Sequence, residues 1–261
     1  MNNRKKLLNK RLKLIVAQIL LFVFVICLWE FFSKVGILDN FLFSSPSSIL
    51  SLLLFNLKQK EFYNHIYISL LETILGIIIG SAVGIIIAVV LWSSKTITKL
   101  LEPFMVVLNA LPKTALAPIM IIWAGAGVTG IVVVAISILL VITILSTYNY
   151  FINVDAEKIK MMRSFQASRY QIFTKLVFPA NLVNIISVIK INIGMSWVGV
   201  IVGEFLVSRV GIGHEIMYGG QIFRFDIVMM WVIVLSFFAY IMYEGINIIE
   251  KILIKKRGKG I

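Results

Sequence analysis

The chain has 261 residues, 60% of them hydrophobic and 14% charged, with a mean hydropathy of +0.99, which is more apolar surface than one soluble core can hide. A formal net charge of +13 would suggest nucleic acid in a soluble protein, but no basic surface with base-reading or stacking groups is organised along the chain, and that class is excluded. Continuous apolar runs such as LIVAQILLFVFVICLW stand where outer-membrane strands would alternate, so a β-barrel is excluded too.

Crossing about 30 Å of hydrocarbon takes roughly 20 apolar residues in a helix, and six windows qualify: 14–33, 66–93, 100–124, 130–152, 182–207 and 227–249. The predicted fold is all-α, a polytopic membrane protein with six transmembrane helices. A single membrane domain covers 14–249, between basic tails at 1–13 and 250–261. The first window follows MNNRKKLLNKRLK, which resembles a signal-peptide n-region. It has full spanning length and no small-residue cleavage site, so it is expected to remain as the first helix. The sole cysteine, Cys27, lies in that helix, which excludes an intrachain disulfide and a thiol-based metal cluster.

Between spans one and two, Ser-Ser-Pro-Ser-Ser at 44–48 predicts a short exterior helix with Pro46 in its first turn. Span two carries Gly76, Gly80 and Gly84 at four-residue spacing, and span five carries Gly199 and Gly203. These are faces that let a neighbouring backbone approach closely, either for packing alone or beside a pathway. Span three, EPFMVVLNALPKTALAPIMIIWAGAG, contains Pro103, Pro112 and Pro118 with Asn109 and Lys113 at membrane depth. Irregular backbone there must be covered by protein or line a wet cavity. Lys113 either faces a pathway or caps carbonyls freed by Pro112. Lys190, eight residues into span five, is expected to snorkel to the surface. Glu72 and Glu204 fall near the outer ends of spans two and five, where they either gate an exit or are solvated among the headgroups. The histidines, His65 and His214, are expected to be exterior, interfacial and not metal-binding.

The basic residues sort by side of the membrane. Six lie in the first thirteen residues, then Lys95, Lys99, Lys158, Lys160, Arg163, Arg169 and Lys175 follow, with five more after residue 249. Lys34, Lys58, Lys60, Arg209 and Arg224 fall on the opposite loops. This bias puts both termini and the polar loop 153–181 in the cytoplasm. Within the loop, SFQAS separates two short helical stretches. Ile159, Met162 and Phe165 recur at three-residue steps and are expected to form an apolar ridge flanked by Lys160 and Arg163. The element either docks a cytoplasmic partner or is an ordinary positive-inside loop.

The loop resembles that of binding-protein-dependent ABC importer permeases, whose motif reads Glu-Ala-Ala, three residues, Gly, nine residues, Ile, one residue, Leu-Pro. Here the matching positions are Lys160, Met161 and Met162, then Gln166, Leu176, and Phe178-Pro179, so the spacing is kept while several identities change. The whole stretch DAEKIKMMRSFQASRYQIFTKLVFPANL, together with GEFLVSRVGIGHEI, LPKTALAPIMIIWAGAG and SSPSSIL, is similar to the nitrate, sulfonate and taurine branch of that family. The resemblance implies an inner-membrane permease, without cofactors or catalysis of its own, that works as a homodimer. It further implies two ATPase subunits docked on Ile159, Lys160, Met162, Arg163, Phe165, Gln166 and Arg169, and an extracytoplasmic binding protein delivering a sulfonate, taurine, nitrate-like anion or vitamin precursor. On this reading Asn109, Lys113 and Glu204 belong to the translocation pathway. No G-x-x-x-x-G-K-[ST] phosphate loop occurs. The competing class is a stand-alone secondary transporter or channel, but only one broken span is evident and no charge ring or filter.

Overall fold

The computed structural model describes residues 2–257; Met1 and 258–261, the ends of the two predicted tails, lie outside the described residues. In chain order the helices are α1 (Asn2–Val35), α2 (Asn40–Phe43), α3 (Pro46–Asn56), α4 (Lys60–Ser93), α5 (Lys95–Ala110), α6 (Lys113–Ala124), α7 (Val128–Ile152), α8 (Ala156–Ser164) and α9 (Arg169–Ile172). A π turn (Phe173–Val177) leads to α10 (Phe178–Ala180), α11 (Leu182–Val207), α12 (Ile212–Gln221) and α13 (Phe225–Arg257). Among the described residues, five helices are long and apolar enough to cross a membrane: α1 from Val16, α4, α7, α11 and α13 up to Lys255. The pair α5 and α6 is bent by 101° at its break; counted as one broken span it makes a sixth, and the same bend is also that of a re-entrant loop.

That bend corrects the single window at 100–124. Leu111 is extended (φ −65°, ψ 134°) ahead of Pro112, because the proline ring disfavours helical backbone in the residue before it. Pro112 also lacks the N–H that would continue the hydrogen-bond ladder.

Two compact units are present, one of Met1–Phe62 with Glu215–Ile233, the other of Tyr63–His214 with Val234–Ile261. In the first, Ser45 caps α3 with its side chain accepting from the Ser48 amide at 3.2 Å, and Pro46 occupies the first helical position. Glu30 near the end of α1 accepts from the Ser47 amide at 3.0 Å and from its hydroxyl at 2.9 Å, which fastens the serine-proline element to α1. Phe62 stacks on Trp231 at 4.8 Å between ring centroids.

The second unit is built around α7, whose spanning window is 56% buried. The glycine faces explain how neighbours come so close. A Cβ on Gly80 would lie 2.4 Å from Leu139 Cδ1, and one on Gly84 2.7 Å from Thr143 Cγ2. On α11, a Cβ on Gly199 would lie 2.4 Å from the Cα of Ala135, and one on Gly203 3.1 Å from the Cα of Ile131. Thus α4 and α11 both pack on α7 through glycine. A buried polar knot ties the same three helices, with Asn192 Nδ2 donating to Ser81 Oγ and to Thr143 Oγ1, each at 2.8 Å. In lipid such bonds add roughly 0.6 kcal/mol each, and they fix register as well.

Candidate functional site

Residues 153–181 form a shaped element. Asp155 caps α8 by accepting from the Glu157 amide at 2.9 Å. The helix ends in a Schellman turn, with Ala167 N donating to Met162 O at 3.1 Å and Gln166 N to Arg163 O at 2.9 Å. Gln166 occupies the left-handed position of that turn at φ 56°, where glycine is the usual residue. Ser168 and Gln171 then form a capping box that starts α9.

The structure corrects the expected ridge. Ile159 and Met162 turn inward and pack on a buried cluster of Ala88, Phe151, Ile172, Val177 and Ile185. The apolar groups facing outward are Met161, Phe165 and Tyr170, exposed by 55%, 77% and 77%. Phe165 sits beyond the last turn of α8, as its C-cap, so the three-residue spacing does not carry through to it. Lys160, Arg163 and Arg169 are exposed, and Arg169 Nη1 donates to the Ser93 carbonyl at the end of α4, at 3.0 Å.

A second constellation sits where α11 turns into α12. Glu204 is 1% exposed. Its carboxylate accepts from the Ser69 hydroxyl of α4 at 2.5 Å, from the Gly213 amide, and from the His214 amide. It therefore caps the first turn of α12, where orphan amides favour a negative charge. Gly211 has φ +131°, and a Cβ there would lie 2.3 Å from Glu204 Oε1, so the carboxylate occupies the space that only a glycine leaves. The Ile212 amide donates to Ser69 Oγ at 2.8 Å, and the Gly211 amide to His65 Nδ1 at 3.0 Å. Glu72, also 1% exposed, hydrogen-bonds to Glu204. Neither carboxyl group is solvated at a headgroup, which corrects that expectation. The rings of His65 and His214, far apart in sequence, stack in parallel with centroids 6.5 Å apart. Sequence reasoning missed Ser69 and Gly211 as partners of Glu204; the signal was an acid followed at seven and nine residues by glycines.

At the break between α5 and α6, Lys113 Nζ donates to the Asn109 carbonyl at 3.2 Å. This satisfies one acceptor stranded by the bend. Lys190 does not snorkel alone: it is ion-paired with Glu250 of α13, the two side chains being only 13% and 14% exposed. Asn247 Oδ1 accepts from it at 3.1 Å, and the Tyr243 ring lies 5.5 Å away.

A family model described as the binding-protein-dependent transport system inner membrane component matches residues 76–255. The putative aliphatic sulfonates transport permease protein SsuC of Bacillus subtilis is 26% identical over 234 residues, covering 89% of this chain and 84% of that one. The taurine transport system permease protein TauC of Escherichia coli is 22% identical over 197 residues, covering 76% and 72%. Among solved structures, a chain of the inward-facing MetNI methionine ABC transporter superimposes with a TM-score of 0.67 at 14% identity, covering 75% of this chain and 97% of that one. This last likeness is one of fold.

Proposed function

The chain belongs to the family of binding-protein-dependent transport system inner membrane components, non-catalytic permeases of ABC transporters, and on that premise we propose that it forms half of the solute path of an ATP-driven importer. A second copy of the chain completes the path. Two ATPase subunits dock on the loop 153–181, and an extracytoplasmic binding protein delivers the solute. The observation that carries this reading is the two-faced element at α8. Its inner face, Ile159 and Met162, is packed into the unit's core, while Met161, Phe165 and Tyr170 stand exposed. A short helix seated on α7 and α11 passes a push to both spans, and exposed apolar groups in a polar loop suit a partner's groove.

The solute is a small sulfonate or a related oxyanion, since relatives are named for aliphatic sulfonates and taurine. Lys113 and Asn109 at the bend offer an ammonium and an amide to such an anion, and the bond to the Asn109 carbonyl uses only one of the three ammonium donors.

The test is co-expression with the candidate ATPase followed by uptake in proteoliposomes. The double variant Met161→Asp/Phe165→Asp should insert and dimerise yet lose both the ATPase and uptake. Full occupancy by the ATPase would sink the docking assignment. A wild-type chain that transports without any ATPase would point to a stand-alone carrier. Lys113→Met should assemble normally and take up solute more slowly; unchanged uptake leaves that lysine only its capping bond.

A further inference from the structure

A cavity of about 230 Å³ opens beside the loop, where α4 and α7 end and α5, α8 and α9 come together. Three cations line it, Lys95 from α5, Arg163 from α8 and Arg169 from α9, with no carboxylate among the lining residues. Among the described residues neither Lys95 nor Arg163 has an ion pair or a side-chain hydrogen bond, and Arg169 spends one of its five N–H donors on the Ser93 carbonyl. Like charges gathered on one opening repel each other unless an anion enters between them. The volume falls below the roughly 300–1,000 Å³ of sites that enclose drug-sized molecules. It suits a compact oxyanion better than a whole organic solute.

The remaining walls indicate how that oxyanion arrives. Trp92 closes the end of α4 and Tyr148 lies in the last turns of α7. The apolar runs of both helices, 66–93 and 130–152, finish here, which puts the cavity at headgroup depth on a spanning reading of α4 and α7. Aromatic residues mark that depth in membrane proteins, and basic pockets between spans at the cytoplasmic face take anionic headgroups.

We propose that this cavity is a phosphate-oxyanion site, filled by the headgroup of an anionic phospholipid, with Lys95, Arg163 and Arg169 as its cationic walls. The proposal rests on membrane insertion with the loop on the cytoplasmic side, and is independent of whether the chain transports anything. A bound headgroup would join the α4 to α5 turn to α8, making the seat of the loop dependent on lipid.

Native mass spectrometry of the purified full chain tests it, with phosphatidylglycerol, phosphatidylcholine and inorganic phosphate as probes. The wild type should retain phosphatidylglycerol over phosphatidylcholine by roughly tenfold. Lys95→Gln/Arg163→Gln should bring the two lipids to parity, and Lys95→Arg/Arg163→Lys should restore the preference. Should the double variant fail to fold, Lys95→Gln alone, on the exposed first turn of α5, reads the same loss in part. Saturable inorganic phosphate binding that the double variant loses, without any lipid preference, would assign the site to a soluble oxyanion. Equal retention of both lipids with no phosphate binding overturns the proposal, as does a double variant that binds like the wild type.

Discussion

Gln166 holds a left-handed backbone at φ 56°, a conformation that strains an L-residue by about 1–2 kcal/mol and glycine hardly at all. The resemblance places glycine at this position, and the Schellman turn gives the physical reason: the chain must reverse there for Ala167 to reach Met162 O. Gln166→Gly should therefore stabilise the turn by up to about 1 kcal/mol after the entropy of the added glycine is subtracted, seen as slower amide exchange at residues 166 and 167. Gln166→Ala, which keeps the strain, should show no gain. Gly211 is the converse case, a glycine with a filled Cβ position at φ +131°. Gly211→Ala should lower the thermal midpoint in detergent by the equivalent of about 2 kcal/mol or more, strain and clash acting together. An unchanged midpoint would mean that the Glu204 cap is not fixed there. Little of this was legible beforehand. Glu204 is a single acid in an apolar run, and its partners Ser69 and Glu72 lie more than 130 residues away in sequence; only the fold brings them together.

At the scale of elements, the periodic features were the legible ones. Glycines at four-residue steps on α4 meet Ala135, Leu139 and Thr143 at the same step on α7, since both faces follow one helical repeat. Gly199 and Gly194 of α11 make a controlled pair for testing that contact. A Cβ at Gly199 meets the backbone of Ala135 at 2.4 Å, whereas at Gly194 nothing lies within 4 Å. Gly199→Ala should destabilise the protein by about 1–3 kcal/mol through forced separation of α7 and α11. Gly194→Ala should be neutral or slightly stabilising by helix propensity. Equal melting of the two variants would remove the close-approach argument. The Lys190 and Glu250 pair shows where such reading fails. Lys190 was expected to reach the surface by its own length, but its partner sits in the last span, 60 residues on, and no periodicity links them.

For the whole molecule, hydropathy located the five long apolar helices and the bent pair α5 and α6 because membrane crossing demands length and apolarity from each segment separately. The 101° break in that pair followed from its prolines. The loop was legible as two short helices, since caps and turns are local signals, but which face of α8 looks inward was not, because that depends on Phe151 and Ile172 from other helices. The orientation separates two jobs that the sequence had merged on Ile159, Met162 and Phe165. On the proposed reading, Met161 and Phe165 hold the ATPase, and Met162 transmits its movement into α7 and α11 through the buried cluster. Met162→Ala empties part of that packing at a site that touches no docking surface, and a buried Met→Ala change destabilises by about 2–5 kcal/mol when fully enclosed, less at this partly buried position. The variant should keep the ATPase bound and hydrolysing ATP, while solute moved per ATP falls at least severalfold. Loss of the ATPase from Met162→Ala would return the residue to the docking face, and unaltered coupling would show that α8 moves its spans by some route other than its inner face.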